Sequence, residues 1–289
     1  MSSFSVKGRT AFVTGGASGI GLGVARALLQ SGARVAIADV DSAAIEQALM
    51  SLRPLGGVIG IELDVRDRAA WASAREQVAG ALGPVTLLVN NAGVTGYDPV
   101  IDTPPDHFDW IIAVNLTGVF NGIHAFGRPM VDLGKGGHIV NTASIAGLYG
   151  SNTLTVGAYS ASKYGVVGLT ERLRIEMAEH GIGVSVLCPG LVTTSIGANT
   201  AKLRPGPGGV DLADNPAFAN LRRNVPAAGL HPDRLGPFIV DAIEENRAYI
   251  IPHPHFGELV EERHQAIMAD FRDAADPELP IASNWRSLA

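Results

Sequence analysis

The chain has 289 residues, of which 46% are hydrophobic and only 17% charged, with a net charge of −6 and a pI near 5.7. Such a composition supplies a large core and excludes a disordered chain, while the acidity removes any electrostatic case for nucleic acid or an anionic membrane surface as partner. A single cysteine, Cys188, excludes an intrachain disulfide. The opening MSSFSVKGRTAFVTGG lacks the apolar stretch of a secretory signal, and no run of about 18 unbroken apolar residues suggests a membrane span, so the expected location is the cytoplasm.

The first predicted strand covers 10–14 and runs into Thr14-Gly15-Gly16-Ala17-Ser18-Gly19-Ile20-Gly21, which opens a helix predicted over 20–31. Glycines at such a turn let backbone N–H groups and the positive helix end approach a pyrophosphate, so Gly15, Ser18, Gly19, Ile20 and Gly21 are candidate cofactor contacts. Gly15 and Gly19 are four apart, not the two of the usual dinucleotide fingerprint. The second strand, 34–39, ends in Asp39, 18 residues beyond Gly21. A carboxylate there accepts hydrogen bonds from the adenosine ribose and repels the 2′-phosphate of NADP, which predicts NAD. Asp39 also has the chemistry of a helix N-cap, a role that Asp41 or Ser42 would fill as well for the helix predicted over 42–53.

A strand at 58–63, a helix at 67–82 and a strand at 85–90 follow, then a long helix at 106–131 carrying Asn115, a candidate holder of a water for proton transfer. The strand at 138–142 leads to Ser144, a candidate donor to a substrate oxygen. In the helix predicted over 158–179, Tyr159 and Lys163 are four residues apart and share a face. Tyrosine titrates near 10, too high for a base at neutral pH. An ammonium ~5 Å away at an effective dielectric of ~20 contributes ~3 kcal/mol, about two pKa units, which predicts a Tyr159 shifted downward.

After a strand at 184–187 the periodicity breaks over 195–230, rich in Gly and Pro, and this stretch is predicted to be a lid with no long helix. Its Ile196, Leu203, Val210, Leu212 and Phe218, with Leu148, Leu154, Val156 and Leu191 near the catalytic groups, are the expected apolar walls of a substrate pocket. A helix at 232–245, a last strand at 248–251 and an amphipathic helix at 257–274 complete the chain. Strands alternating with helices, several apolar on both faces, predict an α/β fold: a doubly wound, Rossmann-like parallel sheet. The expected organisation is one catalytic domain over 1–252 and a C-terminal extension over 253–289. His253, His255 and His264 lie close in sequence, but two sit in a Pro-rich turn without companion acids, so no metal is expected.

Together the TGGASGIG turn, Asp64-Val65, Asn90-Asn91-Ala92-Gly93, Asn115, Ser144, the Tyr159/Lys163 pair and Pro189-Gly190-Leu191-Val192-Thr193-Thr194 resemble the short-chain dehydrogenase/reductase family over about residues 5–252. The resemblance implies metal-free, reversible hydride transfer between nicotinamide C4 and a carbinol carbon, with Tyr159 passing the hydroxyl proton. It also implies that Asp64 and Val65 hold the adenine, Asn91 backs its ribose, Lys163 binds the nicotinamide ribose, and Val192 and Thr194 fix the carboxamide. By the same resemblance the helices bearing Asn115 and Tyr159 pair between subunits, giving a homodimer or homotetramer. Ser144 and Tyr159 are 15 apart where 13 is usual, so the intervening loop is longer.

The 195–230 region, Phe108-Asp109-Trp110 and the Tyr249-Ile250-Ile251-Pro252 ending are similar to a bacterial branch that oxidises benzylic alcohols of lignin-derived β-aryl ethers. The expected substrate is therefore a small molecule, a bulky, hydrophobic and aromatic secondary alcohol or ketone. The alternatives are a 3-oxoacyl or hydroxysteroid reductase, and a family member without chemistry that senses cofactor or serves as a scaffold.

Overall fold

The computed structural model describes residues 4–150, 156–206 and 229–273. Seven parallel strands form one sheet in the order β3-β2-β1-β4-β5-β6-β7: β1 Thr10–Thr14, β2 Arg34–Asp39, β3 Val58–Glu62, β4 Leu87–Asn90, β5 Gly137–Thr142, β6 Ile182–Leu187 and β7 Tyr249–Ile250. The chain winds outward from β1 to β3, then crosses back to place β4 against the other side of β1, with Val13 paired to both Ile37 and Val89. Brought together at that reversal, the carboxyl ends of β1 and β4 open the crevice where doubly wound sheets bind ligands.

Helices cover both faces: α1 Gly19–Gln30, α2 Ser42–Leu52, α3 Arg68–Leu82, α4 Pro105–Ile112, α5 Gly118–Leu133, α6 Gly157–Ala178, α7 Ile196–Leu203 and α8 Pro232–Glu244. Alternation along β1 sends Ala11 and Val13 into a core with α1, α2 and α8, and Phe12 into a second core with α3 and α5. Phe12 meets Phe126 and Trp71 at ring separations of 4.8 and 5.8 Å, and removing such a buried ring costs ~3–5 kcal/mol. Helices α1 and α8 approach backbone to backbone, since a Cβ at Gly236 would stand 2.3 Å from the Gly23 carbonyl. Asp41 caps α2 through the Ala44 N–H at 3.1 Å, so the alternative cap is the one used and Asp39 is left for the crevice.

One expectation needs correction. The helix read as one piece over 106–131 is interrupted by a π-helical turn, Ala113–Thr117, because the Asn115 side chain is bound sideways to the Val94 backbone. The run Pro105–Leu133 has the length and apolar character of a membrane span, yet 56% of its most apolar window is buried within the protein as a core helix. The stretch read as a lid with no long helix contains the two-turn α7, too short for its apolar period to register before the Gly-Pro run; its residues 207–228 lie outside the described residues. Residues 1–253 and 254–289 form separate compact units. Within the second, the short 3₁₀ turn Pro254–Phe256 leads into α9, Gly257–Asp273.

Candidate active site

The turn after β1 folds as its glycines dictate. Gly15 and Gly19 have φ of +59° and +52°, values that L side chains rarely adopt. A Cβ at Gly15 would lie 2.9 Å from the Ala92 Cα, and one at Gly21 would lie 2.1 Å from the Gly15 carbonyl. Gly21 is thus a packing residue behind the turn, while Gly15, Ser18, Gly19 and Ile20 face the cleft. Ser18 starts α1 without a side-chain cap, and the first turn of the helix carries no acid. Its uncapped N–H groups and positive end are open to an anion.

Asp39 stands at the floor of the cleft. Its carboxylate accepts from Ala17 N–H at 3.3 Å, Val40 N–H at 2.9 Å and Asp41 N–H at 3.3 Å, while burial pushes its pKa above the usual carboxylate range. Asn91 binds the far wall to the turn: its amide donates to the Thr14 carbonyl at 3.1 Å, and the Thr14 hydroxyl accepts the Asn91 and Ala92 N–H groups at 2.9 and 3.0 Å. Asp64 and Val65 line the same cleft. Arg66 also lines the cleft and binds Asp64 at 2.6 Å, holding its carboxyl below the ordinary range.

At the other end of the cleft α6 presents Tyr159 and Lys163. The Lys163 Nζ lies 5.5 Å from the Tyr159 ring centre and donates to the Thr142 carbonyl at 2.9 Å. Burial lowers Lys163 to about 8. Burial raises Tyr159 to about 12 against the lowering effect of a Ser144 hydrogen bond. The expected downward shift is therefore reversed in this structure, because removing water from the phenolate outweighs the hydrogen bond from Ser144.

Ser144 is buried; its hydroxyl accepts the Ala146 N–H at 3.1 Å and reaches the Pro189 carbonyl at 3.4 Å. Asn115 is fully buried, with its side chain committed to Val94 N at 2.8 Å, Val94 O at 2.9 Å and Ser162 Oγ at 3.0 Å. Gly93 leaves room for this arrangement, since its Cβ would lie 3.3 Å from Asn115 Oδ1 and 3.5 Å from Lys163 Nζ. Thr194 lines the cleft opposite Gly19, whereas Val192 packs on the core and bridges Leu230.

The expected walls fare differently. Ile196 and Leu203 line the cleft, joined by Trp110, Val94 and Val114; among the described residues Leu148, Val156 and Leu191 do not, because Val156 is buried beside the start of α6 and Leu148 packs on a separate core. Leu154, Val210, Leu212 and Phe218 lie outside the described residues. Sequence reasoning missed Ser162, whose hydroxyl joins Asn115 to the Tyr159 carbonyl at 2.6 Å; its place one residue before Lys163 was the available signal.

A glycine cradle, a helix N-terminus and a carboxylate at one end of a cleft, with a buried Tyr/Lys pair at the other, fit a dinucleotide-dependent oxidoreductase. Residues 9–204 match the short chain dehydrogenase family, and the chain belongs to it. The C alpha-dehydrogenase of a Sphingobium species is 40% identical over 264 residues, spanning 90% of this chain and 85% of that relative. A short-chain dehydrogenase/reductase from Burkholderia phymatum, solved in complex with NAD, superposes with a TM-score of 0.85 at 33% identity, covering 96% of this chain and 99% of that one. The apo form of LigD from Sphingobium gives 0.77 at 37% identity, covering 96% of this chain and 100% of that one. This protein is thus an oxidoreductase interconverting an alcohol and its carbonyl compound with a nicotinamide cofactor.

Proposed function

We propose that the enzyme uses NAD to interconvert bulky aryl secondary alcohols and their ketones. The observation that carries this reading is that one continuous cleft is lined by Asp39 as well as by Tyr159 and Lys163, with Trp110, Val114, Ile196 and Leu203 along it. Asp39 favours NAD through hydrogen bonds to the adenosine ribose and repulsion of a 2′-phosphate. Asp64 and Val65 flank the adenine, Asn91 backs the ribose, the turn at Gly15 to Ile20 takes the pyrophosphate, and Val192 and Thr194 hold the carboxamide, Val192 through its backbone. Bound nicotinamide supplies the hydride acceptor or donor.

Tyr159 transfers the hydroxyl proton. Its raised pKa makes it a neutral acid ready to protonate a ketone oxygen in reduction. In oxidation Tyr159 would take the hydroxyl proton as its phenolate, a form that the positive charge of an oxidised nicotinamide would favour when bound. Ser144 donates to the substrate oxygen, Lys163 binds the nicotinamide ribose, and Asn115 braces Val94 and Ser162 through its side chain, leaving its main chain to hold a water. Trp110 and the apolar lining, together with the C alpha-dehydrogenase relative, support an alcohol whose hydroxyl is next to an aromatic ring.

Phe108, Phe120 and Ile175 are exposed by 41, 45 and 67% on α4, α5 and α6, apolar surface suited to a second subunit, and a homodimer or homotetramer is the proposed assembly. Light scattering on the purified enzyme tests it, a monomer being the contrary result. For the substrate, kcat/KM with NAD is compared for 1-phenylethanol, larger 1-aryl alcohols and 2-propanol. Each buried methylene is worth about 0.8 kcal/mol, so the aryl alcohols are expected to lead by orders of magnitude. Equal values would overturn the aryl reading.

A further inference from the structure

We infer that His253 is a positioning residue for the cofactor site, the imidazole that fixes the loop after β6, which touches Ser144 at its start and carries Thr194 at its end; the inference rests on the NAD reading above. The ring is buried, with both nitrogens on backbone: Nδ1 lies 3.0 Å from Gly190 N and Nε2 lies 3.0 Å from Leu191 O. The partners dictate the proton. An N–H at Gly190 requires Nδ1 to accept, and a carbonyl at Leu191 requires Nε2 to donate, so the ring is neutral and protonated on Nε2. Using both nitrogens in this way also removes His253 from any metal role.

The loop needs this support because the sheet ends just before it. The last ladder bond of β6 runs from Cys188 N to Ile250 O at 2.9 Å. Pro189 then brings no N–H, and Gly190 brings no side chain to pack. His253, three residues beyond Ile250, reaches back with a side chain where the backbone ladder stops. On one side of the pinned pair, the Pro189 carbonyl accepts the Ile145 N–H at 2.9 Å and is 3.4 Å from the Ser144 hydroxyl. On the other, Leu191 O also accepts the Leu230 N–H at 3.0 Å, and Thr193 N donates to Leu230 O at 3.1 Å, just before Thr194 enters the cleft. Loosening Gly190 and Leu191 therefore releases both the serine beside Tyr159 and the threonine opposite Gly19.

The test pairs His253→Leu, which removes both bonds, with His253→Asn, whose amide oxygen keeps an acceptor near the Nδ1 position. Hydrogen exchange of the peptide over Cys188 to Thr194 is measured without cofactor, and NADH affinity by fluorescence titration. His253→Leu is expected to speed exchange in that peptide and weaken NADH about tenfold with little change in β1 and α1, and His253→Asn to recover most of that affinity. Affinity and exchange within twofold of wild type in His253→Leu, or equal losses in both variants, would overturn the assignment. If His253→Leu does not fold, His253→Gln takes its place, with an Asn variant no tighter than Gln as the overturning result. A wild-type enzyme that binds no NADH refutes the NAD reading, while the exchange measurement still decides whether His253 pins the loop.

Discussion

Lys202 of α7 and Asp41, the cap of α2, meet at 2.6 Å although 161 residues separate them. Because Ile196, Asn199 and Leu203 of the same helix line the cleft together with Asp39, the pair ties α7 to α2 beside the Asp39 end of the cleft. Asn199 adds a longer contact to Ser18 at 3.4 Å. Lys202→Met is expected to speed NADH release about two- to fivefold, the range of a partly exposed ion pair, and to reduce its dependence on salt. Stopped-flow displacement of NADH measures both; an unchanged rate would show that the pair forms without restraining the cofactor.

Tyr159→Phe keeps the ring and removes the proton. Turnover in either direction is expected to fall at least about a hundredfold while NADH binds nearly as before. Pre-steady-state absorbance of NADH, with a fluorescence titration for affinity, separates the two effects.

Lys163, lowered to about 8 by burial, gives a pH dependence whose sign can be worked out. On the proposal that its ammonium donates to a ribose hydroxyl, NADH affinity is expected to be flat below that value and to weaken above it, by up to about tenfold per pH unit. In the free protein the unfolded chain holds the extra proton between about 8 and the ordinary lysine value, so Lys163 makes stability rise with pH across that window. Titrations from about pH 6.5 to 9.5 read the affinity, and a constant Kd contradicts the assignment.

Asp39→Asn keeps an oxygen for the Val40 and Asp41 N–H groups, gives up the acceptor for the Ala17 N–H and removes the charge. The ratio of kcat/KM for NAD to that for NADP is expected to fall by about tenfold or more, since repulsion of the phosphate disappears. An unchanged ratio in parallel assays would assign cofactor choice to another group.

The strands and the positions of the chemical groups were legible because they are local. β-branched runs with no polar face announced a buried parallel sheet, and Tyr159 and Lys163 announced themselves by four-residue spacing on one helix. What escaped depends on distance in sequence or on solvation. Lys202 reaches Asp41, and His253 reaches Gly190, only after the sheet has formed. The direction of the Tyr159 shift escaped because attraction to a lysine can be read from spacing, whereas the competing loss of water belongs to the assembled site. The π-turn at Asn115 left no mark on an apolar period that continues through it.

The two anchors flanking the segment after α7 give the enzyme a modular character. Thr200 Oγ1 accepts Thr95 N–H at 3.0 Å and Pro205 O lies 3.3 Å from His107 Nε2 on one side, while Leu230 bridges Val192 on the other. Both fastenings are made to residues outside the segment between them. Grafts spanning Gly206 to Gly229 are accordingly expected to redirect alcohol preference while leaving NADH affinity within about threefold, which separates the evolution of substrate range from that of cofactor handling.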